Sequence, residues 1–292
     1  MAAWRTTVRT VGGRPVDRVI SLRYPSYAVR HPNHVCWLNH TMREYYDLWE
    51  RFSAPLSPQG RAKERVRRTF IHAADRYLLA RNVTRLFVQS RTIGQRLAMW
   101  PELAPEVLYP PAPQRAYRCD RYGDYILLVS RLTALKRAEL LVRALATPAG
   151  AGIRAVIAGE GEERGRLGRL ARELGVADRA EFAGRIDEAG LIDRLAGCRA
   201  VCFPPLGEDY GFVTVEAFAS RKAVVTCRDS GGPVELVEHG VTGLVTDPTP
   251  ASLASALRLL MDGAAAAERM GTAAHAAAAR LSWATTVHRL TS

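Results

Sequence analysis

The stretch PPLGEDYGFVTVEAFAS (204–220) holds two carboxylates, Glu208 and Glu216, eight residues apart in a Glu-x7-Glu spacing. Glu208 precedes the turn Tyr210-Gly211-Phe212, where no regular helix is expected, and Glu216 falls inside the amphipathic run that follows. An ionised carboxylate accepts several strong hydrogen bonds and so suits sugar hydroxyls. A second stretch, SRLTALK (130–136), carries Arg131 and Lys136 at the mouth of a helix. Two such cations can converge on one anion, with the free N–H groups of a helix start beside them. Lysine is scarce, 3 against 38 arginines, so Lys136 marks a position that wants a compact point charge; two solvated basic residues are the plainer alternative. Gly207 and Gly211 let backbone approach a ligand closely. Gly231 and Gly232, in RDSGGPVE, precede a proline suited to a first helical turn. Positive charge fits a diphosphate and carboxylates fit sugar hydroxyls; a nucleotide-sugar presents both.

The elements that must hold these groups alternate. YILLV (125–129) is a short apolar run, KRAELLVRALA (136–146) has helical periodicity, RAVIAG (154–159) is a strand, and EERGRLGRLARELG (162–175) is a helix closed by glycine. Strands AEFAG, AVCFP, AVVTC and GLVTD then alternate with helices DEAGLIDRLAGC, FVTVEAFAS and PVELVEHG. This order predicts an α/β fold, a parallel sheet covered on both faces and doubly wound. In such a sheet ligands bind beyond the carboxyl ends of the strands, where the candidate loops fall. The earlier part predicts strands at 17–22, 34–38, 85–90 and 106–110, and helices near 41–52 and 61–80. PPAPQRAY (110–117) reads as a linker. The expected domains are 1–114, 115–280 and a C-terminal helix, 281–292, packing back toward the first.

Composition narrows the classes. The chain has 292 residues, 48% of them apolar, and no run long enough for a membrane span. Its start has no apolar h-region. Five cysteines form no CxxC pair, which favours buried thiols in a reducing cytoplasm over disulfides or zinc. Residues 1–120 hold 20 Lys and Arg against 9 Asp and Glu, while the rest is nearly neutral. A basic first segment fits an anionic surface, such as the inner face of a membrane. No nucleic-acid module is present, and the basic residues do not alternate with aromatics as base stacking needs. AGEGEERG (158–165) lacks GxGxxG spacing and reads as turn chemistry. VGGRP (11–15) has no strand–helix frame. No HExxH, GxxxxGK[ST] or Asp-x-Asp run asks for a metal, and no cofactor is expected.

Together SRLTALK, AVCFPPLGEDYGFVTVEAFA, SGGPVELVEHGVTGLV and LSWATT resemble the nucleotide-sugar half of a GT-B glycosyltransferase, specifically retaining glycosyltransferase family 4. HVCWLNHTMREYYDLW and FVQSRTIGQRL are similar to that family's acceptor-side domain. The resemblance implies two Rossmann-like domains and metal-independent transfer of a hexose, with retention, from a UDP- or GDP-linked donor to a saccharide or lipid-linked acceptor. It assigns Glu208 to the donor sugar, Glu216 to the ribose hydroxyls, and Arg131 and Lys136 to the leaving diphosphate. Donor contacts are also expected from Gly207, Asp209 and the backbone of Tyr210, Gly211, Phe212 and Val213. His40 matches a histidine facing the reacting sugar, and Arg43 is a weaker candidate for an anionic group. Family members begin with a glycine-rich loop on their first strand; here that loop and the first βα units have no counterpart, so the first domain is expected to be incomplete. The alternative is a catalytically impaired nucleotide-sugar-binding or partner protein. Hydrolysis by paired carboxylates would leave the phosphate-friendly loops without a role.

Overall fold

A computed structural model describes residues 6–292, so residues 1–5 of the expected first domain lie outside the described residues. The chain divides into two compact units, Met1–Pro110 with Trp283–Ser292, and Pro111–Ser282.

In the first unit, β1 (Thr10–Val11) and β2 (Arg14–Pro15) make a small hairpin around the VGGRP turn. Strands β3 (Val19–Ser21), β4 (His34–Leu38), β5 (Arg85–Val88) and β6 (Glu106–Val107) form a parallel sheet in that order. Every residue of β4 is buried, as expected of a central parallel strand covered on both faces. A short helix α1 (Trp49–Ser53) precedes the long α2 (Pro58–Asn82); on one face of the sheet α2 and α3 (Arg91–Leu97) contribute to a core that includes Cys36, Leu38, Leu78, Leu79, Ile93 and Trp100. Ser57 caps α2 by accepting from Gly60 N, with Pro58 in its first turn, a position where proline forfeits no helical hydrogen bond. Asp75, on the inner side of α2, accepts from the hydroxyls of Tyr27 and Tyr46. On the other face, Val35, Trp37, Phe87 and Leu108 pack with Leu290 of the C-terminal helix Trp283–Thr291. Trp283 meets Trp37 edge-on at 6.2 Å.

Two expectations need correction here. The helix near 41–52 is reduced to a 3₁₀ turn, Arg43–Tyr45, and the five residues of α1. Tyr46 leaves helical geometry between them (φ −114°, ψ −108°), and its hydroxyl is held by Asp75 at 2.6 Å. The strand expected at 106–110 stops at Val107, just ahead of Pro110 and Pro111, which have no N–H for a ladder.

In the second unit, β7 (Tyr125–Val129), β8 (Arg154–Ala158), β9 (Ala180–Gly184), β10 (Ala200–Cys202), β11 (Val224–Cys227) and β12 (Gly243–Thr246) are all parallel. Their spatial order is β9-β8-β7-β10-β11-β12. Construction runs outward from β7, then returns to its other side with β10, so the crevice of this doubly wound sheet opens between β7 and β10. Seven helices complete the unit: α4 (Ala138–Leu145), α5 (Arg164–Glu173), α6 (Glu188–Gly197), α7 (Phe212–Ala219), α8 (Gly232–Leu236), α9 (Pro250–Asp262) and α10 (Ala264–Ala279). The strands' side chains divide between two cores, one shared with α4, α5 and α9, the other with α6, α7 and α10. Helix α9 was not anticipated, although Leu253, Leu257 and Leu260 give it a buried stripe at helical spacing. Helix α8 is shorter than PVELVEHG implied, ending at Leu236. Among the described residues no helix is long and apolar enough to cross a membrane.

Candidate functional site

The loop after β7 differs from its expected form. Lys136 ends a 3₁₀ turn, Ala134–Lys136, and α4 begins only at Ala138. Arg137 intervenes in the left-handed region (φ +49°), an uncommon conformation for a residue with a Cβ. It is fixed there by its own side chain, which donates to the carbonyls of Pro204 and Pro205 (2.8 and 2.7 Å) and pairs with both oxygens of Asp229 (2.7 and 2.6 Å). Arg137 therefore ties the exit of β7 to those of β10 and β11. Sequence reasoning passed over it as one more helical arginine.

Backbone bonds tighten the same junction. Leu206 N donates to Leu135 O at 2.8 Å, Gly207 N to Asp229 O at 2.9 Å, and Glu208 N to Ser230 O at 2.8 Å. AGEGEERG buttresses the first loop: Leu132 N donates to Glu160 O at 2.8 Å, and Glu163 N to Leu132 O at 3.0 Å. That segment thus does turn work.

Within this frame Lys136 and Glu208 meet. The Lys136 ammonium donates to Glu208 Oε2, and the two side chains are 14% and 21% exposed. Lys136 also lies 5.5 Å from the centre of the Phe203 ring. The pair brings together the loops of the two strands that flank the crevice. Arg131 is exposed and makes no ion pair among the described residues.

Gly211 caps α7 with φ +82°, and a Cβ there would come within 2.8 Å of the Phe203 ring and 2.9 Å of Pro233. Behind it, Phe212 and Val213 open α7, where first-turn N–H groups have no carbonyl within the helix. Phe212 is 41% exposed, whereas the Tyr210 ring is buried, edge-on to Phe212 at 5.2 Å. Tyr210 can therefore reach a ligand only through its backbone. Gly211→Ala is expected to cost about 2 kcal/mol through its left-handed geometry, lowering Tm by about 5 °C. Thermal unfolding followed by circular dichroism checks this; an unchanged Tm would remove the tight-turn assignment.

Glu216 lies one helical turn further in and is 7% exposed. Arg115 and Tyr117 both donate to its Oε1, Tyr117 at 3.2 Å; Oε2 has no protein partner among the described residues. Burial pushes the Glu216 carboxyl above its ordinary range, against the pull of Arg115 and Tyr117. Arg115 also reaches Glu188 at the start of α6, at 2.9 Å. Neither Arg115 nor Tyr117 was foreseen, because both lie in the stretch read as a linker. The residues that follow that stretch run along α6: Arg118 pairs with Asp193 (2.6 Å) and Asp120 N donates to Ala196 O (3.1 Å).

His40 follows β4 in the first unit, its Nδ1 3.1 Å from the carbonyl oxygen of Thr41. Arg43 pairs with Asp47 at 2.7 Å. Among the described residues no three His, Cys, Asp or Glu side chains gather as a metal site would require.

Known proteins were then compared with this chain. The family model for glycosyl transferases group 1 matches residues 119–277. The D-inositol 3-phosphate glycosyltransferase of Nocardia farcinica is 31% identical over 253 residues, covering 80% of this chain and 55% of the relative. Its counterpart from Corynebacterium glutamicum is 30% identical over 63% of this chain and 48% of the relative. The chain spans about half the length of these curated relatives. Among solved structures, Thermosynechococcus elongatus sucrose-phosphate synthase superposes with a TM-score of 0.72 at 20% identity, over 88% of this chain and 66% of the other. Anabaena HepE in complex with UDP-glucose gives 0.67 at 23%, over 76% and 66%. These neighbours support a GT-B-type fold with two Rossmann-like units, four parallel strands in the first and six in the second. With a family model matching more than half of its length, the chain belongs to the glycosyl transferases group 1 family.

Proposed function

We propose that the second unit binds a nucleoside diphosphate sugar at the β7/β10 crevice, and that the protein transfers its hexose with retention of configuration, as retaining glycosyltransferase family 4 does. The observation that carries this reading is the Lys136–Glu208 pair, a cation and a carboxylate held across the switch point by interlocked loops. A diphosphate at this place draws on Lys136 and on the unpaired Arg131, with the first-turn amides of Phe212 and Val213 beside it. Glu208 has its second oxygen left to meet the donor sugar, next to Gly207 and Asp209. Glu216, buried and charge-paired through Oε1, offers Oε2 to the ribose hydroxyls. Negative charge grows on the diphosphate as the glycosidic bond breaks, so preorganised cations stabilise the transition state more than the ground state. Lys136 and Arg131 fill that role in place of a metal ion. His40 is proposed, from the family resemblance alone, as a catalytic residue for the reacting sugar. The acceptor class is a saccharide or a lipid-linked saccharide, and an anionic membrane surface is the partner expected of the basic first unit.

UDP bound in the HepE complexes makes UDP-hexoses the first donors to try, with GDP-hexoses second. Calorimetry should show one donor class binding at a single site, and proton NMR of the transferred sugar should show the donor's anomeric configuration kept. An inverted product would overturn retention; saturable binding without transfer or donor hydrolysis would turn the protein into a binding module; no binding of either class would overturn the donor site.

A further inference from the structure

Helix α2 has two apolar faces. The inner one carries Leu78 and Leu79 into the core. The outer one presents Val66, Phe70 and Tyr77, which are 58%, 71% and 53% exposed. With Ala73 they follow one another at intervals of three or four residues, and so form a single stripe along the helix. Surface helices of soluble domains ordinarily turn charge outward. Val66 and Phe70 of the stripe also line a groove of about 370 Å³, together with Met42, Ile71, Lys63 and Arg67.

Helical geometry places Lys63, Arg67 and Arg81 along one border of the stripe and Arg65 and Arg76 along the other. Arg81 lies over the Tyr77 ring at 5.9 Å. Two of these cations are paired, Arg67 with Glu64 at 3.0 Å and Arg76 with Glu102 at 2.6 Å, and Asp75 is buried; Lys63, Arg65 and Arg81 make no ion pair among the described residues and carry the open charge of the two borders. An apolar strip between two cationic rails matches a bilayer surface, where the strip enters the boundary of the acyl chains and long basic side chains reach back to anionic headgroups. A second copy of the chain would set the same rails against each other. A nucleic acid would use the rails and leave the stripe in water.

We propose that α2 docks the protein flat on an anionic bilayer through Val66, Phe70 and Tyr77, with its basic flanks on the headgroups. This places the membrane contact proposed above on one helix face, and it stands apart from the donor site because binding to vesicles requires no nucleotide-sugar.

Co-sedimentation of the purified chain with phosphatidylcholine vesicles, with and without phosphatidylglycerol, tests it. Binding is expected only with phosphatidylglycerol and should weaken as salt is raised. Phe70→Ser should lower the partition coefficient about tenfold, and Lys63→Glu with Arg67→Glu should abolish binding, with circular dichroism of both variants unchanged. Absence of binding to anionic vesicles overturns the proposal. So does a Phe70→Ser variant that binds as tightly as the parent, the signature of charge alone. A parent that sediments as a dimer which Phe70→Ser dissociates would assign the stripe to self-association instead.

Discussion

Lys136→Ala should lower the rate of transfer by about 10²–10³-fold, the loss typical of removing one preorganised charge-stabilising donor. The same change should weaken binding of the bare nucleoside diphosphate about tenfold or more, since hydrogen bonds to charged groups are the stronger class. Glu208→Gln separates the two functions of the pair. It keeps the shape of the side chain and leaves Lys136 free for phosphate, so affinity for the bare diphosphate should hold or improve while transfer collapses. The contrast follows from geometry: Lys136 and Glu208 lie at the ends of adjacent strands, yet only the cation is suited to phosphate. Steady-state rates paired with calorimetry read both quantities. Normal turnover in either variant would remove the site assignment, and equal loss of diphosphate affinity in both would mean that the pair only braces the loops. Folding is the control, because Arg137 and Asp229 hold the loops independently of Lys136.

Much of this site was legible because parallel strands announce themselves. YILLV is a continuous apolar run and AEFAG a short one broken only by the exposed Glu181, and the strands occupy those residues, Tyr125–Val129 and Ala180–Gly184. Once strands alternate with helices, the exit loops are the place to look for ligands, and Lys136, Glu208 and Gly211 lie on them. The limits were physical. Whether Lys136 stands on a helix or before it depends on Arg137, whose left-handed backbone is fixed by Asp229, 92 residues away. Arg115 meets Glu216 across 101 residues, with no local pattern to mark it. Rarity of lysine was a mixed signal. Of the three, Lys136 is at the crevice, Lys63 is exposed on α2, and Lys222 is wholly buried, donating to Arg121 O and lying 4.4 Å from the Tyr122 ring. In the first unit, α2 was foreseen as a helix, but helical periodicity alone does not tell which of two apolar faces meets the core.

Arg115→Met should move the pH dependence of donor binding to higher pH than in the parent. Glu216 is buried, and burial alone favours its neutral form. Arg115 is the charge that opposes this, so its removal drives the carboxyl further above its ordinary range. A protonated Glu216 loses acceptor capacity toward ribose hydroxyls. Donor KM should therefore rise as pH falls toward the raised value, while kcat at saturating donor changes little. Stability should move the opposite way. A carboxyl whose folded pKa exceeds its unfolded value, about 4.3 for glutamate, contributes stability that is present below that value and lost as pH rises through the folded one. At neutral pH the variant should be less stable than the parent by about 3 kcal/mol, the cost of leaving a buried charge unpaired, and the deficit should shrink in acid. Opposite pH slopes in KM and in chemical denaturation distinguish a residue that orients the ribose acceptor from one that only braces the fold. Arg115→Lys, which keeps the charge, should restore much of the donor affinity and flatten both slopes. A variant whose KM is raised equally at every pH would show that Arg115 contacts the donor directly and does not act through Glu216.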